Sequence, residues 1–349
     1  MSTVSTADSS AFVSEKISTP NTLQDVISGT LPQFERLIHL YALFNGGFLV
    51  AGCAEFLILL LFFTFFAKSA LLALSLGVIF LTFFSYFTLR VYLQTKKPEQ
   101  FEDLKNQYLE QCKTLIGYQE GDPEKYLALA SACTKLSDSL IGKEHTFYSL
   151  PHWLKPLSPY MEKLCYWYHW QDVHYMRELI LLSAIEENIK YVKFEPTSLE
   201  AHASLANAYV TLSTLYAHTQ NSEIDDETWM PREEKETVLS QKFKKAAERA
   251  IEEFKILNDF APNDPWIHVQ LAYSYHDLNM PLQEIYEYEI VLSLLPEDQE
   301  TLYKLGILYF KQGRNADGLR IFEQLKQQDA QKANEIISYY GAYKPFSHE

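Results

Sequence analysis

Between Phe56 and Leu89 the sequence carries a single charge, Lys68, which divides the stretch into two apolar blocks, Phe56–Ala67 and Ser69–Leu89. A helix rises about 1.5 Å per residue and a bilayer's hydrocarbon core is about 30 Å thick, so about 20 residues make a span. The second block has that length; the first reaches it by starting near Phe48, which puts Glu55 about 10 Å along the helix. Glu55 reads in two ways. It is an intramembrane ionisable group that pairs with another subunit or relays protons, or it sits near the interface, protonated or wetted. Ser69, Ala73 and Gly77 in the second block, and Gly47 and Ala51 in the first, put small side chains on one face, which suits close helix packing. Some 40 residues without a basic start precede the blocks, which argues against a cleaved signal peptide. Arg90, Lys96 and Lys97 after the second span and Arg36 before the first, set against a one-lysine turn, predict both termini on the cytoplasmic side.

The 349 residues carry a formal charge of −15, made of +1 over residues 1–97 and −16 over residues 98–349. Nucleic-acid affinity rests largely on Lys and Arg neutralising phosphates, so the expectation is no nucleic-acid partner. Cys53, Cys112, Cys133 and Cys165 form no C-x-x-C pair, which argues against a disulfide framework or a zinc site. Residues 1–40 read as a Ser/Thr-rich disordered tail, and 41–93 as the two spans.

The back half repeats. Leu271, Ala272 and Tyr275 recur as Leu305, Gly306 and Tyr309 at an offset of 34, which Pro262 and Pro296 share. The segment Gln299–Lys332, with Gly313 and Phe322, resembles the tetratricopeptide repeat, a helix-turn-helix of this length. It departs from the family pattern at Gly318, where Ala is usual, and at Leu325 and Ala330. Pro265–Asp298 matches through Leu271, Ala272, Tyr275, Tyr288, Val291 and Pro296, with Glu284 where the family has a small residue. Leu205, Ala206 and Tyr209 begin an earlier unit whose second helix, with Ala250, Phe254 and Leu257, follows an insertion at 218–232. The resemblance covers 199–332; 94–198 reads as helical with degenerate repeats and 333–349 as a capping helix and tail. The expected fold is all-α, a transmembrane hairpin followed by a tetratricopeptide-like α-solenoid in which each helix pair buries its face on its neighbours.

Transferred residue by residue, the resemblance implies a concave groove holding Asn207, Trp266, Tyr273, His276, Tyr303 and Phe310. Its aromatic lining serves either an apolar partner peptide or internal packing. Cys165, His169, Asp172 and His174 suggest a metal site, but His169 and His174 lie about 140° apart on a helix, so aromatic packing is the reading there. Lys242, Lys244, Lys245 and Arg249 interleave with glutamates and read as surface ion pairs. No motif for catalysis, metal or cofactor occurs. The expected function is therefore a membrane-anchored, non-enzymatic scaffold for a protein or peptide with an apolar or aromatic surface, touching lipid through the hairpin. The alternatives are a bacterial secreted effector, since the layout of two close spans resembles chlamydial inclusion membrane proteins, and a regulatory subunit of a membrane transport complex.

Overall fold

The structure is a computed structural model describing residues 22–63, 71–145, 147, 156, 158–218 and 232–342, with side chains in the last stretch described from 238 onward. Residues 1–21 and the insertion at 219–231 lie outside these.

Helix α1 (Leu23–Leu61) begins inside the stretch expected to be tail. Thr22 and Asp25 form a reciprocal capping box, the Asp25 N–H donating to Thr22 Oγ1 at 3.2 Å and the Thr22 N–H to Asp25 Oδ2 at 3.0 Å. Val26, Thr30, Phe34 and Ile38 then recur every four residues, and all are buried. A Ser/Thr average taken over 30 residues conceals such a stripe, because four well-spaced apolar or small positions are enough to bury one helical face.

Helix α2 (Leu71–Ile116) runs antiparallel to α1 and packs on it. Its later half buries Phe101, Leu104, Tyr108 and Cys112. These meet the α1 stripe together with Leu129 and Cys133 of α3 (Pro123–Ser139) and Val173, Met176 and Ile180 of α4 (Ser158–Phe194) in one core. Phe34 and Phe101 are in ring contact at 5.5 Å between centroids, and Tyr108 donates to the Ala132 carbonyl at 2.8 Å. At 39 and 46 residues the two helices run about 58 and 69 Å, against the 30 Å of a hydrocarbon core. Each is thus one rod, apolar at one end and built into a helical domain at the other.

Beyond α3 and α4 the chain stacks pair on pair: α5 (Leu199–His218) on α6 (Arg232–Phe260), α7 (Pro265–Asp277) on α8 (Pro281–Leu294), and α9 (Gln299–Lys311) on α10 (Asn315–Lys326). Each pair also touches the next along the chain, which makes the fold an all-α solenoid following two long apolar helices. Asp122, Asp264 and Asp298 cap the first helices of three pairs by accepting a backbone N–H, and proline at the first turn supports two of them. The turns between paired helices need a left-handed residue, supplied by Asn279 (φ 54°) and, 34 residues on, by Gly313 (φ 75°). Helix α11 (Ala330–Ile337) closes the array by burying Ala333 and Ile336 against Leu302 and Leu305.

The departures from the family pattern prove to be halves of matched pairs. Phe310 is fully buried, and a Cβ at Gly318 would stand 2.6 Å from its Cε1. One repeat earlier the equivalent positions are His276 and Glu284, whose side chains pair at 3.0 Å. One earlier still they are Val210 and Ala250 of a single apolar cluster. Ring with glycine, imidazole with carboxylate, and valine with alanine fill the same gap between first and second helix.

A second position behaves alike. His202 stands between the Glu253 carboxylate (2.6 Å) and the Pro196 carbonyl oxygen (2.9 Å). His268 does the same with Glu287 (2.7 Å) and the Pro262 carbonyl (3.0 Å), while the last repeat has Leu302 and Ile321 in one core.

Gly318→Ala is expected to cost about 1–3 kcal/mol through overpacking. Combined with Phe310→Val it should cost less than the two single changes summed. Urea unfolding of the full chain and its variants in detergent measures this; simple additivity would show that the two positions are not matched.

Candidate functional site

Two parts of the molecule concentrate polar and aromatic groups at surfaces: the first helices of the repeats and the seam between α1 and α2.

Helices α5, α7 and α9 bury one face in the solenoid core and leave Asn207, Trp266, Tyr273 and His276 exposed and Tyr303 half-buried. Trp266 packs edge-on against Phe254 at 5.9 Å. Tyr273 lies edge-on to Tyr288 at 6.5 Å, and Lys304 lies 4.2 Å above its ring and donates to its hydroxyl at 2.9 Å. Tyr303 donates to Glu335 at 3.2 Å. Glu300 faces Lys304 at 3.4 Å and Lys332 at 3.8 Å. The expected groove therefore loses Phe310, which is turned into the core where Gly318 makes room for its ring. His276 stays at the surface with its ring held by buried Glu284.

Burial pushes the Glu284 carboxyl above its usual range, with His276 pulling the other way. A carboxyl whose folded pKa is raised contributes stability at low pH that is lost as pH rises through that value. Replacing it with the neutral isostere removes the cost of holding buried charge. Glu284→Gln is therefore expected to raise the melting temperature at about pH 7, with a gain that shrinks toward about pH 4; thermal melts across that range measure it.

The seam between α1 and α2 is the part that counting charges did not reveal. Tyr41, Asn45, Phe48, Gly52 and Glu55 recur at alternating spacings of four and three, the period that keeps one face on a partner helix. Thr82, Tyr86, Arg90 and Lys97 form the facing row. Thr82 donates to Glu55 Oε1 at 2.7 Å. Tyr86 donates to Asn45 Oδ1 at 3.2 Å and accepts from Arg90 at 3.1 Å. Asn45 also donates to the Tyr168 hydroxyl of α4. Tyr41 donates to Gln100 at 2.6 Å, and Lys97 pairs with Asp172 of α4 at 2.6 Å while lying 4.9 Å over the Tyr41 ring. A row of polar contacts thus leads from Glu55 up to the helical domain.

The small residues expected to bring the two helices together do not do so. A Cβ at Gly47 or Gly77 would meet no atom within 4 Å, because the contact runs along the polar and aromatic seam instead. Ser69 lies outside the described residues.

His169, from the cluster that suggested metal ligands, is buried beside Phe147 at 4.9 Å between ring centroids. Among the described residues no three metal-ligating side chains converge. Lys244 and Arg249 face Glu248 and Glu252 on their own helix, whereas Lys242 reaches across to Glu178 of α4 at 2.6 Å.

The sequence matches no family model and no curated protein. Solved structures are similar in helical layout. TTC0263, a thermophilic TPR protein in Thermus thermophilus, is 16% identical, with 62% of this chain covering 91% of that one at a TM-score of 0.31. YrrB, a TPR protein with an unusual peptide-binding site, is 13% identical, with 65% covering 97% at 0.29. The human IFIT1 dimer with PPP-AAAA is 14% identical, with 67% covering 58% at 0.32. At these scores the solenoid rests on this chain's own helix pairing, which the likenesses accompany. One expectation is corrected: the IFIT1 structure is described with PPP-AAAA, and the exclusion of nucleic acid from this chain rested on total charge alone. Total charge averages a surface, while a phosphate chain reads a local patch.

Proposed function

We propose that the chain is a non-enzymatic, membrane-anchored docking platform, with α1 and α2 crossing a bilayer and the solenoid and both termini on the cytoplasmic side. The observation that carries the anchor is that the apolar windows of α1 and α2 contain no buried residue. Leu49, Phe56, Leu60, Phe80, Phe83 and Phe87 are all more than half exposed, an apolar surface that water disfavours and lipid accepts. Arg90, Lys96 and Lys97 at the inner end of the span support the orientation.

For docking, the support is the set of first-helix aromatics that the core does not consume. Trp266 and Tyr273 keep 42% and 38% of their surface exposed, and aromatic side chains of this kind anchor protein and peptide partners. Confinement to a membrane raises the effective concentration of such a surface toward other membrane-bound proteins, so modest contacts suffice.

Full-length protein reconstituted with vesicles is expected to float with them and to stay bound after an alkaline carbonate wash. A photo-crosslinking residue in place of Tyr273 should capture a partner protein in cells, and the same residue in place of Leu319 on α10 should not. Release by carbonate would remove the anchor; equal capture from both positions would remove the groove as the docking surface.

A further inference from the structure

Between α1 and α2 lies a cavity of about 280 Å3 whose lining includes Asn45, Phe48, Glu55, Thr82, Phe83 and Tyr86. Thr82 stands eight residues before Arg90, about 12 Å along the helix. On the membrane reading, which this inference takes as its premise, the cavity therefore lies well inside a hydrocarbon core of about 30 Å.

Glu55 Oε1 accepts the Thr82 hydroxyl at 2.7 Å, but Glu55 Oε2 is buried and has no hydrogen-bond partner among the described residues. A carboxyl oxygen left unsatisfied in such surroundings costs on the order of several kcal/mol, and a cation that donates to it offsets part of that cost when the geometry is good. The lining supplies no such cation: its polar members are Asn45, Cys53, Glu55, Thr82 and Tyr86. Phe48, Phe83 and Tyr86 contribute three aromatic rings to the lining, and aromatic rings attract ammonium groups. Leu49 and Ile79 complete an apolar wall.

From this geometry we infer a binding site for a lipophilic ammonium compound. The Glu55 carboxyl turns Oε2 toward the cavity to accept from the amine head beside the rings, and the alkyl or aryl body lies along the apolar wall and leaves toward lipid. An uncharged alcohol of the same chain length has no charge to match the carboxyl and binds more weakly.

The test uses the full chain in phosphatidylcholine nanodiscs, with dodecylamine and dodecanol as probes and native mass spectrometry as the readout. One dodecylamine per chain is expected at concentrations where dodecanol gives no adduct. Glu55→Gln should weaken dodecylamine retention at least about tenfold, a loss of about 1.4 kcal/mol, while Glu99→Gln, on the exposed part of α2, leaves it unchanged. Equal retention by Glu55→Gln, or equal binding of dodecanol, overturns the site. A dimer of the native chain that Glu55→Gln dissociates also overturns it, since a second copy would then be the occupant. Vesicle flotation of the native chain separates the premises: if it fails, the anchor fails, and if it holds without amine retention, this inference alone fails. Where Glu55→Gln does not insert as the native chain does, Phe83→Leu is the second variant. It keeps the wall apolar, removes one ring and should also weaken the amine but not the alcohol.

Discussion

The packing of Val26, Phe34 and Ile38 on Phe101 and Tyr108 fixes everything else in the molecule. These residues lie on the same unbroken helices that carry the apolar windows, so the core they form with α3 and α4 sets the position of the hairpin and of the first repeat at once. Burying side chains of this size contributes about 1.5–3 kcal/mol each, enough to favour continuous helices over a hinge even with Pro32 and Pro98 inside them. Lys97 bonded to Asp172 and Asn45 bonded to Tyr168 add a second set of ties between the hairpin and α4.

The solenoid follows a different logic, in which the unit of design is a pair of positions. Considered alone, Glu284 and Gly318 look like defects in the repeat. Set beside His276 and Phe310 they become alternative fillings of one interhelical gap, with a small residue opposite a large one or an acid opposite a base. Burying polar groups is tolerable there because the partner is within hydrogen-bond distance.

Much of this architecture was legible from the amino-acid order, because periods of 34 and of about 20 apolar residues survive in any window wide enough to hold them. The all-α class, the stacked helix pairs and the two long apolar helices all come from such local signals. Three features were not legible. The start of α1 was hidden by a composition dominated by Ser and Thr. The seam of Asn45, Thr82 and Tyr86 was hidden because uncharged polar residues do not interrupt an apolar run. The burial of Phe310 was hidden because its place depends on a glycine in the other helix, a relation that one-helix patterns do not contain. Of the residues read into a groove, Asn207, Trp266, Tyr273 and His276 are exposed, because each leaves its helix on the side away from the solenoid core.

His202 and His268 each reach outside their own repeat, and in both cases the atom they find there is a main-chain carbonyl, that of Pro196 or Pro262. Their side-chain partners, Glu253 and Glu287, belong to their own repeat. Recognition between neighbours at this point therefore asks nothing of the neighbour's side chains. This bond can therefore survive a change of the neighbour's side chains, whereas the apolar clusters shared between units, such as that of Phe254 and Leu271, cannot.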